Sequence, residues 1–229
     1  MHRRAVPQTL VRHARASSSS QVFPAPWRNP ARAAQNGVKT LGSLHQWHHL
    51  ATPMLSLRRK WDLFSELSEL HAIDEHMDLV EFLDGAAAAA DVVQHALHSD
   101  GFRAFCMHEQ SADNVDSSDD VRVLQDVLDR ACFQDCVFHM QEADKRGMHY
   151  ELRHLNVVGC SLFDAEVDAQ SARLGVHLDM AQTLRITSSW KDFMLTKQTS
   201  MLWVFESPLS SAMQWRVRAM DDFELSKHI

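Results

Sequence analysis

The sequence predicts an α+β cone, with helices first and a curved antiparallel sheet after them. Three observations predict it. Apolar residues recur at helical spacing up to about residue 146, and the pattern turns to alternation from about Leu155. The connections between the alternating runs are too short for crossovers, so successive strands must pair as an antiparallel meander. Helices laid on such a sheet bury both patterns at once.

Charge divides the chain before any element does. Residues 1–60 hold ten Lys or Arg and Asp62 is the first acid, which leaves 13 basic and 30 acidic residues for the rest, a balance of −17. The opening MHRRAVPQTLVRHARASSSS is basic, Ser-containing and free of acid, the composition of a mitochondrial transit peptide drawn inward by the membrane potential. A basic tail without fixed structure, or an arm that binds RNA, would share that composition. The segment has no apolar core of the kind a secretory signal needs, and residues 17–42, with Pro24, Pro26 and Pro30, read as unfolded. The expected organisation is a transit peptide and basic linker over 1–45, an amphipathic basic helical segment over 46–77 and a folded domain over 78–225. No window reaches the roughly 20 apolar residues that span a bilayer, so membrane association is expected to be peripheral. Cys106, Cys132, Cys136 and Cys160 are irregularly spaced, and reduced, buried thiols are expected.

The first helix is expected from Thr52 as cap and Pro53 at its first position. Met54, Leu57, Trp61 and Phe64 follow at helical spacing beside Arg58, Arg59 and Lys60. Leu57, Arg58, Arg59, Lys60, Trp61 and Phe64 are therefore candidate contacts to an anionic membrane, where the ring sits at headgroup level and each cation contributes about 1 kcal/mol. A helix packing on the domain or on a neighbouring protein would carry the same pattern.

The second helix, 78–97, places Leu79, Phe82, Leu83, Ala86, Ala90, Val93 and Leu97 on one face, and Gly85 with the alanines leaves room for close approach. A third helix is expected from Asp119 to Arg146, with Ser117 or Ser118 as cap and Gly147 closing it. SADNVDSSDD before it reads as an acidic loop.

The first strand, NVVGCSLFDAEVD, turns polar at Asp164, Glu166 and Asp168. SARLGVHLDMAQTLRITS is the strongest local signal, mostly apolar at even positions from Ala172 to Ile186 and mostly polar at odd ones. Met201 to Phe205 is apolar on both parities, so both faces are expected to be covered. Trp215, Val217 and Ala219 continue one inner face while Arg216 and Arg218 point to water.

The order FLDGAAAAADVVQHAL, a helix, VDAQSARLGVHLDMAQTLRI and LWVFESPLSSAMQWRV, over about residues 78–221, resembles the Tim-forty-four-like domain family. The hairpin residues Trp203, Phe205 and Glu206, then Trp215, Arg216 and Val217, carry its most specific part. The resemblance implies a cone of the nuclear-transport-factor-two type. It also implies a non-enzymatic adaptor in the mitochondrial matrix, peripheral to the inner membrane. Two departures stand beside it: the hairpin between Ile186 and Met201 lacks the family's Gly-containing turn, and the region before residue 78 is short for the chaperone-recruiting half of the import-motor anchor. The resemblance thus implies, first, a large mitoribosomal subunit component that docks the ribosome at the membrane. The partners so implied are mitochondrial ribosomal proteins or rRNA and inner-membrane lipids. A component of the presequence import motor, bound to an inner-membrane translocase, is the alternative.

A small-molecule enzyme of the cone fold is the third alternative, and it needs an acid, base or donor facing the interior. The expected inward set, Phe163, Ala165, Val167, Leu174, Val176, Leu178, Trp203, Phe205 and Trp215, offers only indoles. Phe82, Leu83, Leu174, Val176, Leu178, Trp203, Phe205 and Trp215 are the expected apolar pocket or core. Cys132, Cys136 and His139, and separately His45, His48 and His49, fall short of four zinc ligands, and neither a metal nor a cofactor is expected. The acidic domain repels phosphate, so DNA is not an expected partner.

Overall fold

The computed structural model describes residues 49–53, 55–74, 77–108, 118–209 and 213–222. The expected transit peptide, His45, His48, Met54 and most of the acidic loop lie outside them. The architecture is α+β. Helices α1 (Leu57–Ile73), α2 (Leu79–Leu97), α3 (Asp100–His108), α4 (Asp119–Val127) and α5 (Arg130–Lys145) precede strands β1 (His149–Val167), β2 (Ser171–Thr187), β3 (Asp192–Pro208) and β4 (Arg216–Asp222). The strands form one antiparallel sheet in the order β1-β2-β3-β4.

Strand β2 follows its alternation: every even residue from Ala172 to Ile186 is buried. Strand β1 does not keep one parity. Its ladder with β2 shifts between Leu152 and His154, Val157 and Gly159, and Leu162 and Asp164, each step leaving one extra residue on β1. Such bulges bend a strand and tighten its twist, and three of them along one strand curl the sheet toward the helices. The third also overturns an expectation. Leu162, opposite Val176, and Ala165, opposite Leu174, face the core, while the extra residue Phe163 is only half-buried. A shift in the β3–β4 ladder has the same consequence, setting Ala219 opposite Val204 and giving the inward place to Met220, opposite Trp203. Gly175 sits against the third bulge, where an added Cβ would lie 3.2 Å from that of Asp164.

Helix α2 starts on Asp78, whose carboxylate accepts from the Val80 and Glu81 amides, and its expected face is the one it buries, with Phe82 and Leu97 packed at the margin. Gly85 marks no close approach, since nothing lies within 4 Å of the Cβ it lacks. The single helix expected over 119–146 is broken. Leu128 adopts an extended conformation and bridges to Val217, and the Asp129 amide donates to the Val217 carbonyl at 2.8 Å. The Asp129 carboxylate then caps α5 by accepting from the Cys132 amide at 2.7 Å. A polar residue able to cap, together with a strand edge to pair with, outweighs helical continuity here. Gly147 closes α5 at φ 65°, as the sequence suggests.

Thr52 is no helix cap. It is buried against β1, where its amide and hydroxyl both donate to the Leu162 carbonyl, at 2.7 and 2.9 Å, and Ser56 caps α1 instead. Ala51, Leu63, Leu67 and Leu70 join the same buried core as Leu83, Leu174 and Trp203, so the core runs across the boundary expected at residue 78.

Candidate functional site

Three surfaces carry chemistry, and the first is the start of α1. Leu63, Leu67 and Leu70 sink into the core, and the Glu66 carboxylate accepts from the Val167 amide at 3.0 Å. Burial pushes the Glu66 carboxyl above its ordinary range, against that hydrogen bond. The helix is thereby held by one side. Leu57 and Trp61, one turn apart, are 79% and 69% exposed, with Arg58 and Arg59 exposed beside them, Lys60 half-buried and Phe64 half-buried between the two apolar strips. The apolar face expected from Met54, Leu57, Trp61 and Phe64 is thus divided: Phe64 packs on the core, Leu57 and Trp61 face water, and Met54 lies outside the described residues. The face divides because the stronger stripe, Leu63, Leu67 and Leu70, lies further along the helix.

The expected apolar pocket residues form a filled core. Leu174, Val176, Leu178 and Trp203 are wholly buried, and Phe82 stacks edge-on against Phe205 at 5.4 Å and Trp215 at 5.1 Å. Leu83 lies beneath them, 5% exposed. Beyond Trp203 a separate cavity of about 310 Å³ opens between α2, α3, α5 and the sheet. Its walls are mainly apolar, from Leu97, Phe102, Met140, Met201 and Met220, with His98, Cys136, His139 and Tyr150 among them. The His98 Nδ1 lies 2.8 Å from the Gln94 carbonyl, and burial pushes the imidazole below its ordinary value, which keeps it neutral at pH 7. The Tyr150 hydroxyl donates to the Met148 sulfur at 3.3 Å. The sequence reading missed this cavity because His98, Cys136, His139 and Tyr150 come from α5 and the ends of α2 and β1, which no periodicity brings together. Among the described residues, no three His, Cys, Asp or Glu side chains are placed to hold a metal.

The third surface is an ionic cluster at the open end of β2, β3 and β4. Arg173 donates to Glu206 at 2.8 Å and to Glu166 at 3.0 Å, and Arg218 donates to the other oxygen of Glu206. Burial alone would raise the Glu206 carboxyl, but hydrogen bonds from Arg173, Arg218 and Ser171 outweigh it and hold the group below its ordinary range. Arg216 and Arg218 point to solvent as expected, but Arg218 is committed to this cluster.

At the opposite end, Ser188 to Lys191 close the β2–β3 hairpin with no Gly, through the Ser188 amide donating to the Lys191 carbonyl at 2.8 Å. The ladder runs without a bulge from Ser171–Pro208 to Thr187–Asp192. This fixes the register that the missing turn glycine leaves open in the sequence. Trp190 at its tip is 86% exposed.

No protein-family model and no curated protein sequence matches the chain. Among solved structures, the intermembrane space region of the chloroplast protein ARC6 is similar at a TM-score of 0.34 and 15% identity, covering 59% of this chain and 95% of that one. A likeness of that size carries no argument about function.

Proposed function

We propose that this protein is a non-enzymatic adaptor that docks at an anionic membrane surface through α1. The observation that carries the reading is the divided face of α1: Leu63, Leu67 and Leu70 hold the helix in the core while Leu57 and Trp61 stand in water beside Arg58 and Arg59. An exposed indole and leucine flanked by cations fit the headgroup region, where the ring finds both an apolar and a polar neighbour. Among the described residues no helix is long and apolar enough to cross a membrane.

The resemblance to the Tim-forty-four-like family makes the mitochondrial inner membrane, from the matrix side, the surface we propose, and a large mitoribosomal subunit the cargo. The basic start of the chain and the acidic domain are compatible with that location and with protein partners. Vesicle sedimentation tests the membrane part. Changing Arg58, Arg59 and Lys60 to Glu should weaken binding to phosphatidylcholine vesicles containing anionic lipid by roughly a hundredfold, at about 1 kcal/mol per cation, with the melting temperature unchanged. Equal binding by the variant and the parent would remove α1 as the docking surface. Sucrose gradients of detergent-lysed mitochondria, with and without magnesium chelation, test the cargo. Co-migration with the large ribosomal subunit in both conditions is expected; migration as a small species would overturn it.

A further inference from the structure

The cavity between α2, α3, α5 and the sheet holds a buried amide that the fold leaves unanswered. Gln94, on the last turn of α2, is 7% exposed and lines this cavity. Its backbone carbonyl is bonded to His98, but its side-chain carboxamide has no hydrogen-bond partner among the described residues. Burying an amide unpaired is costly, and such groups are normally met by protein, water or a ligand. His98 stands one helical turn further on and lines the same cavity. A carbonyl can only accept, so the His98 Nδ1, 2.8 Å from the Gln94 carbonyl, carries the ring hydrogen. Burial keeps the imidazole neutral, which leaves a lone pair on Nε2, and no protein donor meets it among the described residues. Two adjacent side chains thus present an acceptor on His98 and both a donor and an acceptor on Gln94.

The rest of the wall favours a particular body for the ligand. Phe102 and the thioethers of Met140, Met201 and Met220 line it, and sulfur packs well against the edge of an aromatic ring. A volume of about 310 Å³ lies at the small end of the range for small-molecule sites. No Lys or Arg stands in the wall, so an ionised carboxylate would be desolvated there without a countercharge, whereas a neutral hydroxyl finds both of its partners. We propose that this cavity binds small apolar phenols, with the ring among Phe102 and the three methionines, the hydroxyl donating to His98 Nε2 and its oxygen accepting from the Gln94 amide. No residue of α1 lines the site, so its failure would leave the docking reading untouched.

The test titrates the full chain with para-propylphenol by calorimetry and by NMR of isotope-labelled methionine methyls. The phenol should bind with a Kd below about 1 mM and shift the methyl signals of Met140, Met201 and Met220. Para-propylanisole keeps the oxygen but cannot donate, and should bind about tenfold more weakly. Para-propylcyclohexanol keeps the hydroxyl without the aromatic ring, and should also bind more weakly than the phenol. Gln94→Leu, which nearly conserves side-chain volume, should weaken the phenol by about tenfold. Undetectable binding of the phenol, or shifts confined to other methionines, would overturn the proposal. So would equal affinities for the phenol and either analogue, comparisons that need no variant, or an undiminished affinity in Gln94→Leu.

Discussion

The two ends of the β2–β3 hairpin use the same residue types to opposite effect. At one end Trp203 and Phe205 are 0% and 4% exposed; at the other Trp190 and Phe193 are 86% and 46% exposed. Both phenylalanines belong to one strand, and both pair with β2 in one unbroken ladder. What differs is the covering. Strand β4 pairs with β3 only from Met201 to Glu206, and α2 brings Phe82 onto Phe205. Among the described residues, β3 from Asp192 to Ser200 has β2 alone beside it. An apolar side chain in a strand is thus a request for a neighbour, and the rest of the fold decides whether it is met.

The largest break in this comparison is Trp203→Ala, which should destabilise the domain by about 3–5 kcal/mol in urea unfolding. A near-normal midpoint would mean that the buried end is not where the stability resides. The Trp203 Nε1 has no hydrogen-bond partner among the described residues. Trp203→Phe, which removes that donor as well as part of the ring, should therefore cost well under half as much. Asp129→Ala acts on the covering itself, by uncapping α5 beside β4, and should lower stability by about 1 kcal/mol.

Acid sharpens the comparison by way of charge. The Glu206 carboxyl is held below its ordinary 4.5 in the folded state, so it contributes stability above that value and loses it as pH falls through the lower folded value. The gap in urea midpoint between the parent and Glu206→Gln should accordingly narrow as pH is lowered below 4.5. At the hairpin tip, the Arg185 hydrogen bond also holds the Asp192 carboxyl low, but solvent screens that pair. Asp192→Asn should change the acid limb less than Glu206→Gln, and a larger change at the tip would reverse the ranking of the two ends. The smallest effect belongs to Trp190→Ala, expected within about 0.5 kcal/mol of the parent. A large loss there would show that the tip is covered in solution.

Legibility followed the same division. Alternation in β2 was readable because one face is buried along its whole length, and a one-residue slip would expose every buried side chain. The face of α2 was readable for the equivalent reason. Strand β1 was misread at Phe163 because a bulge leaves no mark on composition, yet it exchanges the inward and outward parities. The break at Leu128 was missed because Asp129 serves a helix interior tolerably and a cap well, and the choice lies with Val217, which is distant in sequence. For the candidate site, Leu57, Arg58, Arg59, Lys60 and Trp61 were legible as a group, but not the turn of the helix that leaves Leu57 and Trp61 in water. The cavity was not legible at all.

By itself the sequence determined the class of the fold, since a helical period followed by alternation with short connections admits little other than helices on an antiparallel meander. It determined most of the buried faces as well. The tertiary structure alone decided where the core ends, which aromatic residues it encloses and which cysteine meets a cavity. Period and propensity are properties of a dozen neighbouring residues, whereas enclosure depends on elements that meet only after the chain has folded.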